Sequence, residues 1–307
     1  MIITDVNKYL KSGKYLPIDG AEGRSYRHVL GWTNHLIARG LLYSHRDTVF
    51  RAEQFDEAYH AHSFFELIVY VCGDVDFICN RNILTPPPMS VIWSRPGEYH
   101  NARLLSESRY ERYVFRFEPE VFCFEGEHFA PLGFMRRGAD FFAVTPEHRN
   151  ELMHELSALD ACFESTPSNR LQAYAIFLRL MAFFDRIADT PRASASALPE
   201  TVLRIKSYVE ENYRTITTVR EVSEHFFYSR EHISRLFKQY FNMSVAEFLT
   251  RYRVARSAEL LESGVSVTDA CYAVGFGSMS AFSAAFRRVK GCLPSHWMRN
   301  LGGGAGI

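Results

Sequence analysis

A helical pattern that occurs twice in the last third of this 307-residue chain constrains the fold more than any other feature. The first copy spans about 217–241 and the second about 266–290. Each copy contains a short amphipathic stretch, a turn, a serine suited to cap a helix, and a second stretch with apolar residues at helical spacing. A single copy would fit any solvated three-helix bundle, but two copies of one core arrangement predict helix-turn-helix motifs in tandem.

The two copies have matching core positions. In the first, Ser229 caps the second helix, and the predicted core residues are Val219, Val222, Phe226, Ile233, Leu236, Phe237 and Tyr240. In the second, Gly275-Phe276 forms the turn, Ser278 caps the next helix, and the core residues are Val267, Ala270, Cys271, Val274, Phe282 and Phe286. Between the copies, residues 244–263 predict one amphipathic helix of roughly 25–30 Å at 1.5 Å per residue. A connector of that length can set two recognition helices about one DNA turn, roughly 34 Å, apart.

The face of the first recognition helix that lies opposite its core carries polar and basic residues, namely Arg230, Glu231, Ser234, Arg235 and Lys238. An arginine can donate two hydrogen bonds to guanine O6 and N7, and a serine is short enough to approach base edges or phosphates. Residues 198–307 contain 14 Lys and Arg against 10 Asp and Glu, which leaves 21 against 25 for the rest of a chain whose formal net charge is zero. These observations together predict binding to double-stranded operator DNA.

From about 200 to 299 the chain resembles the AraC/XylS transcription regulators, and both motifs occur in the family's order. The matching stretches are SRLFKQYF (234–241), RYRVARSAELL (251–261), VGFGSMSAFSAAFRRVKG (274–291) and Pro294-Ser295. The resemblance implies base reading by Glu231, Ser234 and Arg235 on the first recognition helix. On the second recognition helix it points to Met279, Ser280, Ala281 and Ser283.

Two positions depart from the family's pattern. Asn242 replaces a common glycine after the first motif, and asparagine tolerates left-handed backbone angles. Ala284 replaces a common polar reader, so the second recognition helix offers few hydrogen-bonding groups to bases. We therefore expect the first motif to supply most base readout and the second to bind mainly phosphates. The predicted contacts of the second motif are Ser278, Met279, Ser280, Ser283, Arg287 and Arg288.

The residues upstream of the motifs predict a second domain that contains an antiparallel sheet. Short apolar runs at 65–71, 89–94 and 111–117 are separated by turn residues and leave no room for crossover helices. After residue 146 the apolar spacing becomes helical and predicts a hairpin of two helices. The predicted fold is an α+β two-domain protein with a cupin-like or jelly-roll-like barrel at about 25–145, a helical hairpin at about 147–187, a linker at 188–199, an all-α domain at 200–299 and a disordered tail at 300–307.

A cluster of polar residues in the predicted barrel is a candidate ligand site. Its members are His60, His62, Glu66 and His100. The first three alternate along one strand, so they face the same way. Their spacing resembles the two motifs of cupin barrels, which implies a site suited to a divalent transition metal. Met89 and Arg95 stand where those motifs usually have glycine and proline, which puts the metal geometry in doubt more than the barrel.

The sequence alone leaves three interpretations of this cluster open: a polar pocket for a small molecule, a metal site, and histidines with a purely structural role. We favour the polar pocket, in which no cofactor is required and a divalent metal stays an option. Further candidate contacts are Trp93, Arg95 and Tyr99, with Tyr59, Tyr70 and Phe77 as weaker ones. An aromatic ring such as Trp93 can cover the apolar face of a sugar, although ordinary core packing would equally explain it.

The sequence favours a ligand-responsive transcription regulator, more an activator than a repressor, of a catabolic operon with a saccharide or glycoside inducer. It would act in the bacterial cytoplasm as a homodimer that contacts RNA polymerase, since the N-terminus does not read as a signal peptide and no apolar run approaches the ~18 residues of a membrane helix. The six cysteines form no CxxC pair and read as reduced thiols. Two alternatives are a metal-dependent cupin enzyme, for which no acid/base pair is evident, and a DNA-binding regulator without a small-molecule ligand.

Overall fold

A computed structural model describes residues 15–17, 25–28, 33–50, 59–79, 82–124, 127–128, 133–136, 140–164, 169–188, 195–290 and 292–302. The chain divides into two compact units. One contains the described residues of 3–56 and 61–196, and the other contains those of 57–60 and 197–307.

The N-terminal unit is built mainly of antiparallel strands. They are β1 (Tyr15–Pro17), β2 (Ser25–His28), β3 (Thr33–Ala38), β4 (Leu41–Phe50), β5 (Phe65–Cys72), β6 (Val75–Cys79), β7 (Asn82–Leu84), β8 (Ser90–Ser94), β9 (His100–Leu104), β10 (Ser108–Phe117), β11 (Cys123–Phe124), β12 (Glu127–His128), β13 (Phe141–Ala143) and β14 (Ala195–Ala197). The larger sheet has the order β1-β2-β3-β4-β10-β5-β8-β13, and the smaller has the order β14-β7-β6-β9.

The inner faces of these two sheets share one apolar core. Ile68, Ile92 and Val114 of the larger sheet pack with Val75 and Phe77 of the smaller one. The prediction of an antiparallel, cupin-like β domain is confirmed. These two sheets face each other rather than closing into one, and β11 and β12 form a separate two-stranded sheet.

Strand β10 shows how sequence alternation sorts residues between the two faces of the larger sheet. Tyr113, Phe115 and Phe117 belong to the core on the helix side, whereas Tyr110 and Val114 belong to the core between the sheets. Alternate side chains of a strand point to opposite faces, so both faces of a strand that is buried on two sides become filled.

The helix-side face of the larger sheet is covered by a helical hairpin. The helices of this unit are α1 (Gly133–Arg136), α2 (Pro146–Glu164) and α3 (Arg170–Ile187). Asn169 caps α3 by accepting a hydrogen bond from the backbone N–H of Gln172 at 3.2 Å. Phe177 and Phe184 of α3 are fully buried in the core beneath the hairpin.

The C-terminal unit is helical in its described part from residue 200 onward. Its helices are α4 (Glu200–Glu211), α5 (Val219–Phe226), α6 (Arg230–Phe241), α7 (Val245–Glu262), α8 (Val267–Ala273), α9 (Met279–Lys290) and α10 (Pro294–Gly302). The two predicted helix-turn-helix motifs correspond to α5–α6 and α8–α9, and the predicted connector is α7. At 1.5 Å per residue, the 18 residues of α7 extend over about 27 Å.

The helix ends in this unit follow local capping chemistry. Ser229, Ser244 and Ser266 each cap a helix by accepting a backbone N–H, and Thr218 forms a capping box with Glu221. Asn242 follows α6 at φ 51°, so its predicted left-handed conformation is confirmed. These caps satisfy helix-terminal groups that would otherwise depend on water.

Two predicted boundary segments are described only in part. Ala195–Ala197 of the predicted linker form a short strand, and residues 189–194 lie outside the described residues. Helix α10 continues through Gly302, while residues 303–307 of the predicted disordered tail also lie outside them. None of the helices in the described ranges combines the length and the apolar character that a membrane span needs.

Candidate DNA interface and effector site

The first recognition helix, α6, presents all of its predicted DNA contacts to solvent. Ile233, Phe237 and Phe241 are fully buried on its inner face. The opposite face carries the exposed residues Arg230, Glu231, Ser234, Arg235 and Lys238. Ser229 accepts the backbone N–H of His232 at 3.1 Å and thereby fixes where the helix begins.

Two of these exposed side chains are held in defined positions. The guanidinium of Arg235 lies 3.1 Å from Nδ1 of His232, one turn earlier. The pKa of the Glu231 carboxyl is lowered by a hydrogen bond from its own backbone N–H, by Ser229 and by the nearby charge of Arg230. Glu231 therefore stays ionised and can accept a hydrogen bond from a cytosine amino group, while Arg235 can donate to guanine.

The second recognition helix, α9, has a different surface. Ser280, Ala281, Ala284, Arg287 and Arg288 are exposed. The remaining predicted contacts, Ser278, Met279 and Ser283, are partly buried. Met279 packs against the core of this motif, so its side chain is largely engaged within the protein. The surface of α9 thus offers two arginines at its C-terminal end and mainly methyl and hydroxyl groups at its start.

A clamp at Arg253 ties the connector helix to the start of the first motif. Arg253 of α7 donates hydrogen bonds to the backbone oxygens of Tyr213 at 2.7 Å and Ile216 at 2.6 Å. Its guanidinium also lies 5.8 Å from the ring centre of Phe276 in the second turn. Because one side chain contacts the loop before α5 and the turn before α9, it helps to hold the two motifs in a fixed arrangement.

The N-terminal unit brings three of the predicted ligand residues together. His62, Glu66 and His100 are almost fully buried. The imidazole rings of His62 and His100 lie 4.8 Å apart between centres. Nδ1 of His62 lies 2.7 Å from the Phe64 carbonyl oxygen, and Nδ1 of His100 lies 2.9 Å from that of Glu98. With Nδ1–H donating in both rings, each Nε2 is directed toward Glu66, at 4.0 Å and 3.6 Å respectively.

Glu66 is also paired with an arginine that the sequence did not single out. Nε of Arg116 lies 2.5 Å from Oε2 of Glu66. Burial alone would raise the pKa of Glu66, but Arg116 and the two histidines outweigh it and hold the pKa well below its usual range. A guanidinium on Glu66 disfavours a second cation on the same carboxylate, so the Glu66 position of the predicted metal set fits a metal poorly.

Trp93, Arg95 and Tyr99 lie in other surroundings than this cluster. Trp93 packs on the helix side of the larger sheet, 5.0 Å from Phe134 between ring centres, because its neighbours Ile92 and Ser94 occupy the inner face. Arg95 forms ion pairs with Glu98 at 3.0 Å and Asp140 at 3.1 Å, and Tyr99 is partly buried.

The weaker candidates are also distributed over different surroundings. Tyr70 and Phe77 belong to the core between the sheets. Tyr59 belongs to the C-terminal unit, as does His60, which is one of the main candidates. There the Tyr59 backbone N–H donates to the Phe241 carbonyl oxygen at 3.0 Å.

The structure buries three arginines on the inner face of the larger sheet that the sequence analysis does not identify. Arg46 of β4 and Arg112 and Arg116 of β10 are each at most 5% exposed. The signal was present, because Arg112 and Arg116 alternate with the aromatic residues of the run ERYVFRF at 111–117. If β10 is taken as a strand buried on both faces, these arginines must lie in the interior. Arginine is rarely buried without a partner or ligand, so the sequence alone favours an exposed position for them.

Comparison with known proteins agrees with this geometry. Residues 49–181 match a family model described as an AraC-like ligand binding domain, and residues 222–300 match one described as a helix-turn-helix domain. A ligand-binding β domain followed by a helix-turn-helix domain defines a DNA-binding transcription regulator. Since both models match in this order, the chain belongs to the AraC/XylS family of such regulators, and the resemblance in the sequence is confirmed.

Curated relatives and solved structures are similar at low identity. A raffinose operon transcriptional regulatory protein, RafR, from Pediococcus pentosaceus is 29% identical over 130 residues, which cover 42% of this chain and 46% of that protein. The transcriptional activator RhaS from Yersinia pseudotuberculosis is 25% identical over 249 residues, which cover 78% of this chain and 88% of that protein. The C-terminal domain of AraT from Geobacillus stearothermophilus is 29% identical, with a TM-score of 0.33, and the match covers 34% of this chain and 88% of that domain.

Proposed function

We propose that this protein activates a bacterial operon for sugar uptake or breakdown when a small molecule binds inside its β domain. The carrying observation is the buried polar cluster of His62, Glu66 and His100, which lies in the ligand-binding domain of a chain that also has an exposed recognition helix. The names of RafR, a raffinose operon regulator, and of RhaS, an activator, support a sugar as inducer and activation as the outcome.

The mechanism requires that the effector bind one arrangement of the protein more tightly than another. Effector binding can change DNA occupancy or polymerase contact only to the extent of that difference in affinity. We propose that the arrangement concerned is subunit pairing or the presentation of the two motifs to DNA. Base readout then falls mainly to Glu231, Ser234 and Arg235, and phosphate contacts to Arg287 and Arg288.

A homodimer is the proposed assembly, and one surface of α3 supports it. Leu171 is 81% exposed and Leu178 is 38% exposed. The two leucines are seven residues apart, so they lie on the same face of the helix. Pairing of this face with a second copy would bring two DNA-binding units to adjacent half-sites, as a dimeric regulator in the cytoplasm requires.

In vitro transcription with purified RNA polymerase tests this function directly. The template carries the promoter that the protein occupies in cells, and a panel of mono- and oligosaccharides is added singly. We expect one sugar to raise transcript yield several-fold with the wild-type protein. The His100→Gln variant should lose the response yet keep operator affinity, whereas a variant of the exposed His154, His154→Gln, should behave as wild type. Transcription that is indifferent to every small molecule would favour a regulator without an effector.

We further propose that the β domain works without a resident metal and performs no catalysis. The support is the Arg116 guanidinium on Glu66, which engages the one carboxylate among the four predicted metal ligands. Metal analysis of the purified protein tests this point. Stoichiometric iron or manganese together with turnover of a small substrate would instead support the metal-dependent cupin enzyme.

A further inference from the structure

Asn34 of β3 carries a neutral amide group in the interior of the β domain. Its side chain is completely buried, with 0% of its surface exposed. Within the described part of the chain, neither Oδ1 nor Nδ2 of this amide has a hydrogen-bond partner. A buried amide without partners costs free energy, because it loses its hydrogen bonds to water and gains none in return. Such a group in a native interior needs an explanation, and a bound ligand provides one.

The alternation of β3 directs the Asn34 amide away from the helical hairpin. The ring of the neighbouring His35 stacks on Phe163 of α2, with 4.3 Å between the ring centres. Alternate side chains of a strand point to opposite faces, so Asn34 lies on the inner face of the larger sheet. The pairing of His35 with Tyr43 brings Asn34 beside Ser44 of β4.

Asn34 lies at one end of a row of uncharged residues that crosses this inner face. The registers of β4, β10, β5 and β8 continue the row with Ser44, Val114, Ile68 and Ile92. The last three of these residues belong to the apolar core between the sheets. The row therefore has a polar end, formed by Asn34 and Ser44, and an apolar remainder.

The polar end of this row can both donate and accept hydrogen bonds. The Asn34 amide provides one acceptor oxygen and two N–H donors. The Ser44 hydroxyl accepts a hydrogen bond from Nε of Arg46 at 3.2 Å, which leaves its own O–H to donate. Two adjacent hydroxyls of a sugar match the amide, since one can donate to Oδ1 while the other accepts from Nδ2. A carboxylate or a phosphate would match only the donors and would place its charge against Oδ1.

We propose that Asn34 binds a pair of adjacent hydroxyl groups of the sugar effector and that Ser44 adds a further hydrogen bond. The proposal rests on the proposed function, since it assumes that the effector binds inside the β domain. Asn34 is three strands away from Glu66 in the order of the sheet, about 14 Å at about 4.8 Å per strand. The Asn34 amide and the His62–Glu66–His100 cluster therefore contact different parts of the effector.

Sugars and their deoxy analogues test this contact in the full-length protein. The probes are galactose, glucose and xylose, each compared with its 2-deoxy and 3-deoxy analogues by titration calorimetry. For the sugar that binds, we expect the loss of one of the two hydroxyls to weaken binding to the wild-type protein at least tenfold. The reason is that part of the buried amide is then left without its partner.

The Asn34→Leu variant assigns the hydroxyl contact to the amide. It keeps the approximate size of the side chain and removes its hydrogen-bonding groups, so the sugar should bind at least tenfold more weakly. The penalty of the deoxy analogue should fall from at least tenfold in the wild type to less than threefold in Asn34→Leu, as expected for two groups in contact. The ligand-free variant should melt at or above the wild-type temperature, because an apolar group of similar shape replaces a buried amide without partners.

Thr33→Val is the matched control for this variant. Thr33 precedes Asn34 on the same strand, so its side chain points to the opposite face of the sheet. The substitution removes a hydroxyl with little change in shape. The Thr33→Val protein should bind each sugar and each deoxy analogue as the wild type does.

Three outcomes would overturn the contact. They are wild-type affinity in Asn34→Leu, equal affinity for each sugar and both of its deoxy analogues, and a ligand-free Asn34→Leu protein that melts several degrees lower. The last result would show that the amide has hydrogen bonds that stabilise the fold without a ligand. If a sugar activates transcription and one of these results is found, the contact fails while the proposed function stands. If none of the sugars binds or changes transcription, the proposed function fails together with the contact.

Discussion

The two helix-turn-helix motifs have the same core and differ in the turn between their helices. In the first, Phe227 takes a left-handed conformation at φ 57° with 95% of its side chain exposed. In the second, Gly275 takes φ 89°, and a Cβ at that position would lie 2.4 Å from the Arg214 carbonyl oxygen. The first turn accepts a large side chain because that side chain extends into solvent. The second requires glycine because another backbone segment approaches it closely.

The motifs also differ in what they present to DNA. The exposed face of α6 carries side chains with several hydrogen-bonding groups, whereas that of α9 begins with Ser280 and Ala281 and becomes basic only at Arg287 and Arg288. Base edges are distinguished by paired donors and acceptors, and phosphates need only positive charge or single donors. The first motif can therefore distinguish base sequences, and the second can bind DNA phosphates, although both motifs have the same core arrangement.

The largest expected effect is a loss of stability on substitution of the glycine in the second turn, which distinguishes it from the first. We expect Gly275→Ala to lower the free energy of unfolding of the C-terminal unit by about 3 kcal/mol, since it adds backbone strain and a steric overlap with Arg214. Urea unfolding of the full-length protein, followed by tryptophan fluorescence with hydrogen exchange to assign the transition, measures the loss. Gly277→Ala is the control, because a Cβ there meets nothing within 4 Å. Equal losses in both variants would show that the Arg214 contact does not determine the requirement.

An intermediate effect separates the two recognition helices. Arg235→Ala should cost about 1–3 kcal/mol, roughly 5- to 150-fold in Kd, on the cognate half-site and much less on a scrambled one. Arg287→Ala should weaken binding to both sequences by a similar factor and lower the slope of log K against log salt by about 0.9. Fluorescence anisotropy with both duplexes at several salt concentrations checks each variant. A uniform loss for Arg235→Ala on both sequences would contradict the division of roles.

The helical unit was predictable because its signals are local. Serine caps, apolar spacing and the connector ended at Ser263 all depend on residues within a few turns of one another. The left-handed residue Asn242 was foreseen because asparagine tolerates that conformation. The left-handed conformation of Phe227 is not predicted, since nothing in a phenylalanine side chain indicates a positive φ. Phe227 adopts it because it is the C-terminal cap of α5.

The sequence predicts the fold class of the β domain, but it does not predict which face of a sheet each side chain occupies. Val91, Ile92 and Trp93 are all apolar and all buried, so the run has no polar alternation to show which residue faces the helices. The placement of Trp93 away from the histidine cluster follows from the register of β8 with β5, which is a long-range property. The same holds for Arg116, whose pairing with Glu66 depends on β10 lying beside β5.

The smallest expected effect concerns the first turn. Phe227→Gly should raise the free energy of unfolding of the C-terminal unit by about 0.5–1 kcal/mol, because relief of left-handed strain outweighs the entropy that glycine adds to the unfolded chain. Phe227→Leu is the matched control, since it keeps the strain and should leave stability within about 0.5 kcal/mol of wild type. Thermal unfolding of both full-length variants measures the change. A loss of stability in Phe227→Gly would mean that the exposed ring makes contacts that offset the strain of its backbone. The first turn would then depend on its side chain, and backbone geometry alone would not explain the difference between the two turns.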